Sequence, residues 1–178
     1  MFTRKEFSLI KQRVTEPRRF IQVVLGPRQI GKTTVVRQVL ETLDAPSLYY
    51  SADAVAAADA SWLSSCWETA RVEYAKGEGK DFLLVIDEIQ KVPNWSETVK
   101  REWDADTWNA RSIKLLLLGS SRALVMSGLS ESLTGRFEEI RMTHWTYSEM
   151  HEAYGTSLDQ YIWYGGYPGA AFLIPDQI

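Results

Sequence analysis

The sequence predicts an α/β fold: a three-layer sandwich in which a five-stranded parallel sheet is covered by helices on both faces. Two observations lead there. Short apolar, β-prone runs alternate with longer segments of helical spacing, the pattern of repeated strand–helix–strand units. The runs FLLVID and IKLLLL are apolar without alternation, as strands buried on both faces must be. The gaps between runs are long enough for parallel crossovers, whereas hairpins need only a few residues.

The opening MFTRKEFSLIKQRV is charged and amphipathic, and reads as a docked helix within 1–19, with Phe2, Phe7, Leu9 and Ile10 on one weak face. The core spans 20–155. Its first strand is Phe20–Leu25, followed by a helix over Thr33–Leu43. The second strand is Ser47–Ser51, with a helix over about Asp59–Ala75 and a turn-rich KGEGKD loop behind it. The third strand, Phe82–Asp87, leads to a helix over Trp95–Trp108 that Asn94 or Ser96 would cap. Lys114–Gly119 is the fourth strand, Leu124–Ser132 a short helix, and Phe137–Met142 the fifth strand. TYSEMHEAYG is a further short helix. The tail over 156–178 mixes aromatic residues with Gly-Gly and two prolines, and reads as the start of another region.

Length and composition bound the answer. A chain of 178 residues, 45% hydrophobic and 24% charged, suits one domain with a real core rather than two large ones. The net charge of −3 does not by itself imply a nucleic-acid partner, although a local basic patch stays open. A single cysteine, Cys66, cannot form an intramolecular disulfide, which suits a reducing compartment. No apolar run approaches the roughly 18 residues of a membrane span, and the start is not signal-like. The expectation is a cytoplasmic protein with no membrane contact.

The stretch Gly26-Pro27-Arg28-Gln29-Ile30-Gly31-Lys32-Thr33 satisfies G-x-x-x-x-G-K-S/T between an apolar strand and a helix. A loop wrapped around a polyphosphate must turn successive backbone N–H groups inward, which calls for glycine at its tight positions. The helix starting near Gly31 adds free N–H groups and its positive dipole end. Lys32 would reach the outer phosphates and Thr33 would ligate Mg²⁺, with Thr34 beside it in the nucleotide site. A chance match on a loop is the bland alternative, and the strand–loop–helix context weighs against it.

Asp87 closes the third strand and Glu88 follows it. Asp87 is the candidate for holding Mg²⁺. Glu88 can polarise an attacking water, which a hydrolase needs and a nucleotide store does not. The pair makes a small-molecule kinase the weaker reading, and the absence of N-K-x-D favours ATP over GTP. After the fourth strand, Ser120 or Ser121 would sense the terminal phosphate, and Arg122 would pair with a phosphate or face solvent. Arg136, before the fifth strand, would lie away from the phosphates of its own subunit. Its reading as an arginine finger therefore requires a homo-oligomer; the alternative is a surface ion pair with Glu138 or Glu139.

Seven tryptophans invite a nucleic-acid stacking story, but Trp95, Val99 and Trp103 share one helical face, as do Trp62 and Cys66, and core packing explains them. His144, His151 and Cys66 have no partners at zinc-ligand spacing. Asp53 reads as a helix cap.

Taken together, LGPRQIGKTT, YYSAD, VIDEIQKVPNW, LLLLGSSRAL, ESLTGRFEEI and YGGYPGA resemble the AAA-type ATPases of archaea and bacteria, in which a P-loop ATPase core precedes a C-terminal domain of unknown function. The Gln90-Lys91-x-Pro93 and Gly-Gly-Tyr-Pro runs are not general P-loop features. The resemblance implies a P-loop NTPase sheet whose acid-pair strand is inserted away from the phosphate-loop strand. It also implies Lys32, Thr33, Asp87 and Glu88 as phosphate, metal and water-activating groups, Arg136 as the Gly-Arg arginine, and Arg122 as a strand-four arginine. Members continue past GGYP, so 156–178 is expected to begin a lid or winged-helix-like region. The function expected is Mg²⁺-dependent ATP hydrolysis to ADP, driving a conformational change on a DNA or protein partner. A slow-turnover nucleotide switch is the alternative.

Overall fold

The computed structural model describes residues 2–54, 59–77 and 80–174, and the side chains of all of these except 122–124 and 130–131. The strands are β1 (Ile21–Leu25), β2 (Ser47–Ser51), β3 (Phe82–Asp87), β4 (Ile113–Gly119) and β5 (Phe137–Arg141). They form one parallel sheet in the order β2-β3-β4-β1-β5. The strand carrying the acid pair is thus separated from the phosphate-loop strand by β4.

The helices are α1 (Glu6–Thr15), α2 (Lys32–Leu40), α3 (Ala60–Lys76), α4 (Trp95–Trp108), α5 (Arg122–Ser132), α6 (Tyr147–Tyr154) and α7 (Leu158–Tyr164). Strands β1, β3 and β4 are buried along their whole length. Their alternate side chains feed two cores. One joins the sheet to α3, α4 and α5 through Trp67, Trp95, Val99, Trp103, Leu129 and their neighbours, and the expected burial of the tryptophan face of α4 holds. The other joins it to α1, α2 and α6 through Ile10, Val35, Val36, Val39 and Met150. Among the described residues no helix is long and apolar enough to cross a membrane.

Two buried charges join neighbouring elements. Asp106 of α4 is fully buried, accepts from Trp67 Nε1 at 2.6 Å and from Arg71 Nε at 2.8 Å, and so welds α3 to α4. Lys114 of β4 donates to the Val14 carbonyl at 3.0 Å and the Thr15 carbonyl at 3.3 Å, satisfying orphan acceptors at the end of α1.

Several local expectations need correction. On α1 the buried positions are Glu6, Ile10 and Val14, whereas Leu9 is exposed; the helix docks on a face rotated away from Leu9. Asn94 does precede α4 but makes no side-chain cap, because its left-handed backbone (φ 51°) carries the side chain out of reach; Ser96 lies inside the helix, buried. Among the described residues Asp53 caps no helix: it sits in a 3-10 turn and pairs with Lys91, while Asp59 caps α3 by accepting from the Trp62 N–H at 2.9 Å. Trp108 and Trp163 are exposed.

Candidate functional site

The site is built where β1, β3 and β4 end. β1 gives way to the loop 26–31, and α2 starts at Lys32. Gly26 passes so close to the end of β5 that a Cβ there would sit 2.3 Å from the Met142 carbonyl oxygen. Gln29 (φ 62°) and Gly31 (φ 91°) are both left-handed, the backbone state that gathers successive N–H groups into an anion-binding concavity. For Gln29, a side-chain-bearing residue, that state costs on the order of 1–3 kcal/mol and marks the loop as shaped for something other than its own stability.

Lys32 is almost fully buried, and its ammonium donates to the carbonyl oxygens of Gly26 at 2.9 Å and Pro27 at 2.7 Å. Burial pulls its pKa down, opposed by the nearby carboxylates of Glu88 and Asp87. The Thr33 hydroxyl donates to Asp87 Oδ2 at 2.7 Å. Tyr49 of β2 donates its phenol to the same oxygen, and the Glu88 N–H donates to Oδ1 at 2.8 Å, so the Asp87 carboxylate is held on both sides. Burial, and then the bond to Asp87, push the Tyr49 phenol pKa up. The sheet register explains the meeting: Ser51 pairs with Asp87 and Tyr49 with Val85, so Tyr49 stands on the same face as the acid.

Glu88 leaves the strand in the left-handed region (φ 54°). Its Oε2 accepts from the Ser120 hydroxyl at 2.7 Å and from the Gln90 amide, which also lies 3.1 Å from the Ser120 oxygen. Ser120 reaches this position because β4 lies between β1 and β3. Arg28 of the loop donates to Ser120 at 3.4 Å. The resulting cleft, about 490 Å³, is lined by Arg28, Gln29, Gly31, Lys32, Thr33, Thr34 and Glu88, and also by the Asp53–Lys91 ion pair and Pro168.

The other sequence candidates fall elsewhere. Ile30 is fully buried, and its carbonyl accepts from Trp145 Nε1 and Arg4. Ser121 stands at the start of α5, outside the cleft wall, and makes no cap bond there. The Arg122 side chain lies outside the described side chains. Arg136 is at the opposite end of the sheet, where its carbonyl accepts from the Ile21 N–H. Its guanidinium makes a two-pronged pair with Asp104 of α4 at 2.9 and 3.0 Å; the partner is Asp104, not Glu138 or Glu139, because Arg136 precedes the strand and turns towards α4. Sequence reasoning assigned no role to Tyr49 or to Gln90. Both sit in family-like runs, YYSAD and DEIQK, but only the strand order brings them to the acids.

Thr33 and Asp87 offer a hydroxyl and a carboxylate oxygen within hydrogen-bond distance of each other beside the loop. Hard oxygen donors of this kind suit Mg²⁺ bound together with a phosphate, so the residues present fit that ion.

The family model described as AAA domain matches residues 18–151 of the chain. Among solved structures, the RuvB Holliday junction branch migration motor of Thermotoga maritima superposes with a TM-score of 0.58 at 20% identity, over 83% of this chain and 46% of that one. A threonine-to-valine variant of the same protein gives 0.56 at 19% identity, over 82% and 44%. The chain therefore spans less than half the length of these solved structures, and at such identities the likeness is one of fold. No curated protein matches the chain.

Proposed function

The chain belongs to the AAA domain family and is an AAA-type P-loop ATPase domain, and we propose that it hydrolyses ATP to ADP and phosphate at the cleft between the 26–31 loop and the Asp87–Glu88 strand end. The observation that supports this reading most is the convergence of four groups from two distant segments: the Lys32 ammonium, the Thr33 hydroxyl and the two carboxylates.

In this reading the loop N–H groups and the first turn of α2 hold the polyphosphate, and Lys32 exchanges its two loop carbonyls for phosphate oxygens. Thr33 and Asp87 hold Mg²⁺, which neutralises phosphate charge when bound. Glu88 accepts a proton from water as the water oxygen attacks the terminal phosphorus, and the bond to the ADP oxygen breaks. Ser120 and Gln90 orient Glu88. Arg136 serves the site of a neighbouring copy in a homo-oligomer, and 156–178 begins a lid. Hydrolysis drives a conformational change on a protein or DNA partner.

One feature favours a second reading, a slow nucleotide switch. Oε2 of Glu88 already accepts from two donors, which tether the carboxylate to Ser120 and Gln90. Lys32→Ala and Glu88→Gln test the first reading: the former should abolish nucleotide binding, and the latter should keep binding and lose turnover. Wild-type turnover in Glu88→Gln would end the hydrolase assignment. Single-turnover rates with and without DNA separate motor from switch; a stimulation that weakens with salt marks a DNA-acting machine.

A further inference from the structure

Two side chains from distant parts of the chain grip the 26–31 loop from behind. The Ile30 carbonyl accepts from Trp145 Nε1 at 2.9 Å and from Arg4 Nη1 at 3.3 Å. Arg4 precedes α1, and Trp145 lies between β5 and α6. Neither belongs to the phosphate loop or to the acid-bearing strand end.

The gripped oxygen belongs to the peptide unit that also carries the Gly31 N–H. That unit is trans, and a planar trans peptide points its C=O and its N–H to opposite sides. Gly31 borders two spaces, the phosphate cleft and a second cavity of about 230 Å³ walled by Phe2, Arg4, Gln38, Trp145, Tyr154 and Pro168. With the Ile30 oxygen drawn to the Arg4–Trp145 side, the Gly31 N–H is turned to the cleft side.

Packing by itself does not hold this orientation. The second cavity leaves room beside the loop, and nothing lies within 4 Å of where a Cβ on Gly31 would stand. Gln29, at φ 62°, adds strain that a turn of the following backbone would relieve. The two polar donors are what oppose that turn.

The donors are themselves well fixed. Arg4 also donates to both Glu149 carboxylate oxygens and to the Thr143 carbonyl, with its guanidinium 5.3 Å from the Trp145 ring. Phe2 and Tyr154 flank that ring with centroids 5.1 and 5.7 Å away. The Trp145 backbone N–H donates to the Gly166 carbonyl at 2.9 Å, and its carbonyl accepts from the Tyr161 hydroxyl at 2.8 Å. A Cβ on Gly166 would lie 2.2 Å from that carbonyl oxygen, so the Gly-Gly-Tyr-Pro run serves to seat Trp145.

We propose that Trp145, together with Arg4, is a positioning residue for phosphate binding: by holding the Ile30 carbonyl, the pair aims the Gly31 N–H into the cleft. Neither side chain touches the phosphate. They raise the share of molecules whose loop is ready to bind, and the apparent affinity rises with that share. The inference rests on the reading of the cleft as a polyphosphate site.

The test is calorimetric titration of the full chain with Mg²⁺-tripolyphosphate, paired with amide NMR of protein carrying isotope-labelled glycine. Trp145→Phe keeps an aromatic ring and deletes the donor. It should weaken tripolyphosphate binding about fivefold and shift the Gly31 amide signal of the ligand-free protein. Tyr161→Phe deletes a hydrogen bond to the same residue on the side away from the loop, and should leave affinity within about twofold of wild type. Site-specific replacement of the Trp145 indole by benzothiophene, which keeps the shape and lacks the N–H, should reproduce the Trp145→Phe result and decides the question if Trp145→Phe does not fold. Wild-type affinity or an unmoved Gly31 signal in the benzothiophene protein overturns the inference alone. Equal losses in Trp145→Phe and Tyr161→Phe also overturn it, leaving Trp145 a packing residue. Failure of wild type to bind tripolyphosphate overturns the polyphosphate reading and the inference with it.

Discussion

The Thr33 hydroxyl donates to the Asp87 carboxylate at 2.7 Å across a sequence separation of 54 residues. One group opens α2 and the other closes β3, so this single bond ties the loop that would cradle phosphate to the strand that supplies the acids. Asp87→Asn should cut Mg²⁺-dependent nucleotide affinity about tenfold or more, while metal-free binding changes little. Thr33→Val should act in the same direction. Titration with and without Mg²⁺ is the check, and an undiminished metal dependence in both variants removes these residues from the metal site.

Gln90 and Ser120 share the Glu88 carboxylate. If they position it for catalysis, Gln90→Leu should lower kcat about tenfold with KM for ATP changed less than about twofold, since the contact touches the water-activating group and not the nucleotide. A rise in kcat in the same variant would instead mean that the two donors restrain Glu88, as the switch reading requires.

Arg4 and Glu149 form a buried pair at 3.1 Å that joins the chain start to α6. Burial pushes the Glu149 carboxyl up, but the Thr146 backbone bond and the Arg4 guanidinium outweigh it and hold the pKa below the ordinary 4.5. Because the folded value is the lower one, the stabilisation is complete above the ordinary value and is lost as pH falls through the depressed one. Thermal unfolding of wild type should therefore drop steeply below about pH 4.5, and Glu149→Gln should flatten that acid limb. At neutral pH the variant should lose about 1–3 kcal/mol, less than a fully orphaned buried charge costs, because Glu6 lies 3.6 Å from Arg4 as a second partner.

The Arg136–Asp104 pair is partly exposed, so Arg136→Ala should cost no more than about 1 kcal/mol of stability. If Arg136 acts on a neighbour's nucleotide, the specific activity of wild type rises with protein concentration, and Arg136→Ala stays at the dilute wild-type level. Parallel concentration curves for the two proteins would leave Arg136 as a surface ion pair only.

Much of this molecule is legible in its sequence, for identifiable reasons. β2, β3 and α4 begin and end where the residue patterns place them, and the other strands differ by a residue at one end. Strands buried on both faces must be continuously apolar, and the gaps between them leave parallel connections as the simple solution. The phosphate loop is a local structure, so its spelling alone places Lys32 and Thr33 on the first turn of a helix. Asp87 and Glu88 are legible because an apolar strand stops at them.

What the sequence leaves open depends on which elements become neighbours. Tyr49 meets Asp87 only because β2 lies beside β3, and Ser120 meets Glu88 only because β4 lies between β3 and β1. Leu9 is exposed because the rotation of α1 is set by the surface it docks on, not by its own weakly amphipathic pattern. Asp104 captures Arg136 across a helix–strand junction that no spacing reveals. The second cavity draws on the chain start, α2, Trp145 and the Gly166–Pro168 segment at once. The residue order thus determines the backbone of the 26–31 loop and the placing of the acids at a strand end, because backbone turns and strand ends are decided by near neighbours. Tertiary packing decides the partners of those acids and the shape of the adjoining cavity, because both arise from contacts between segments far apart along the chain.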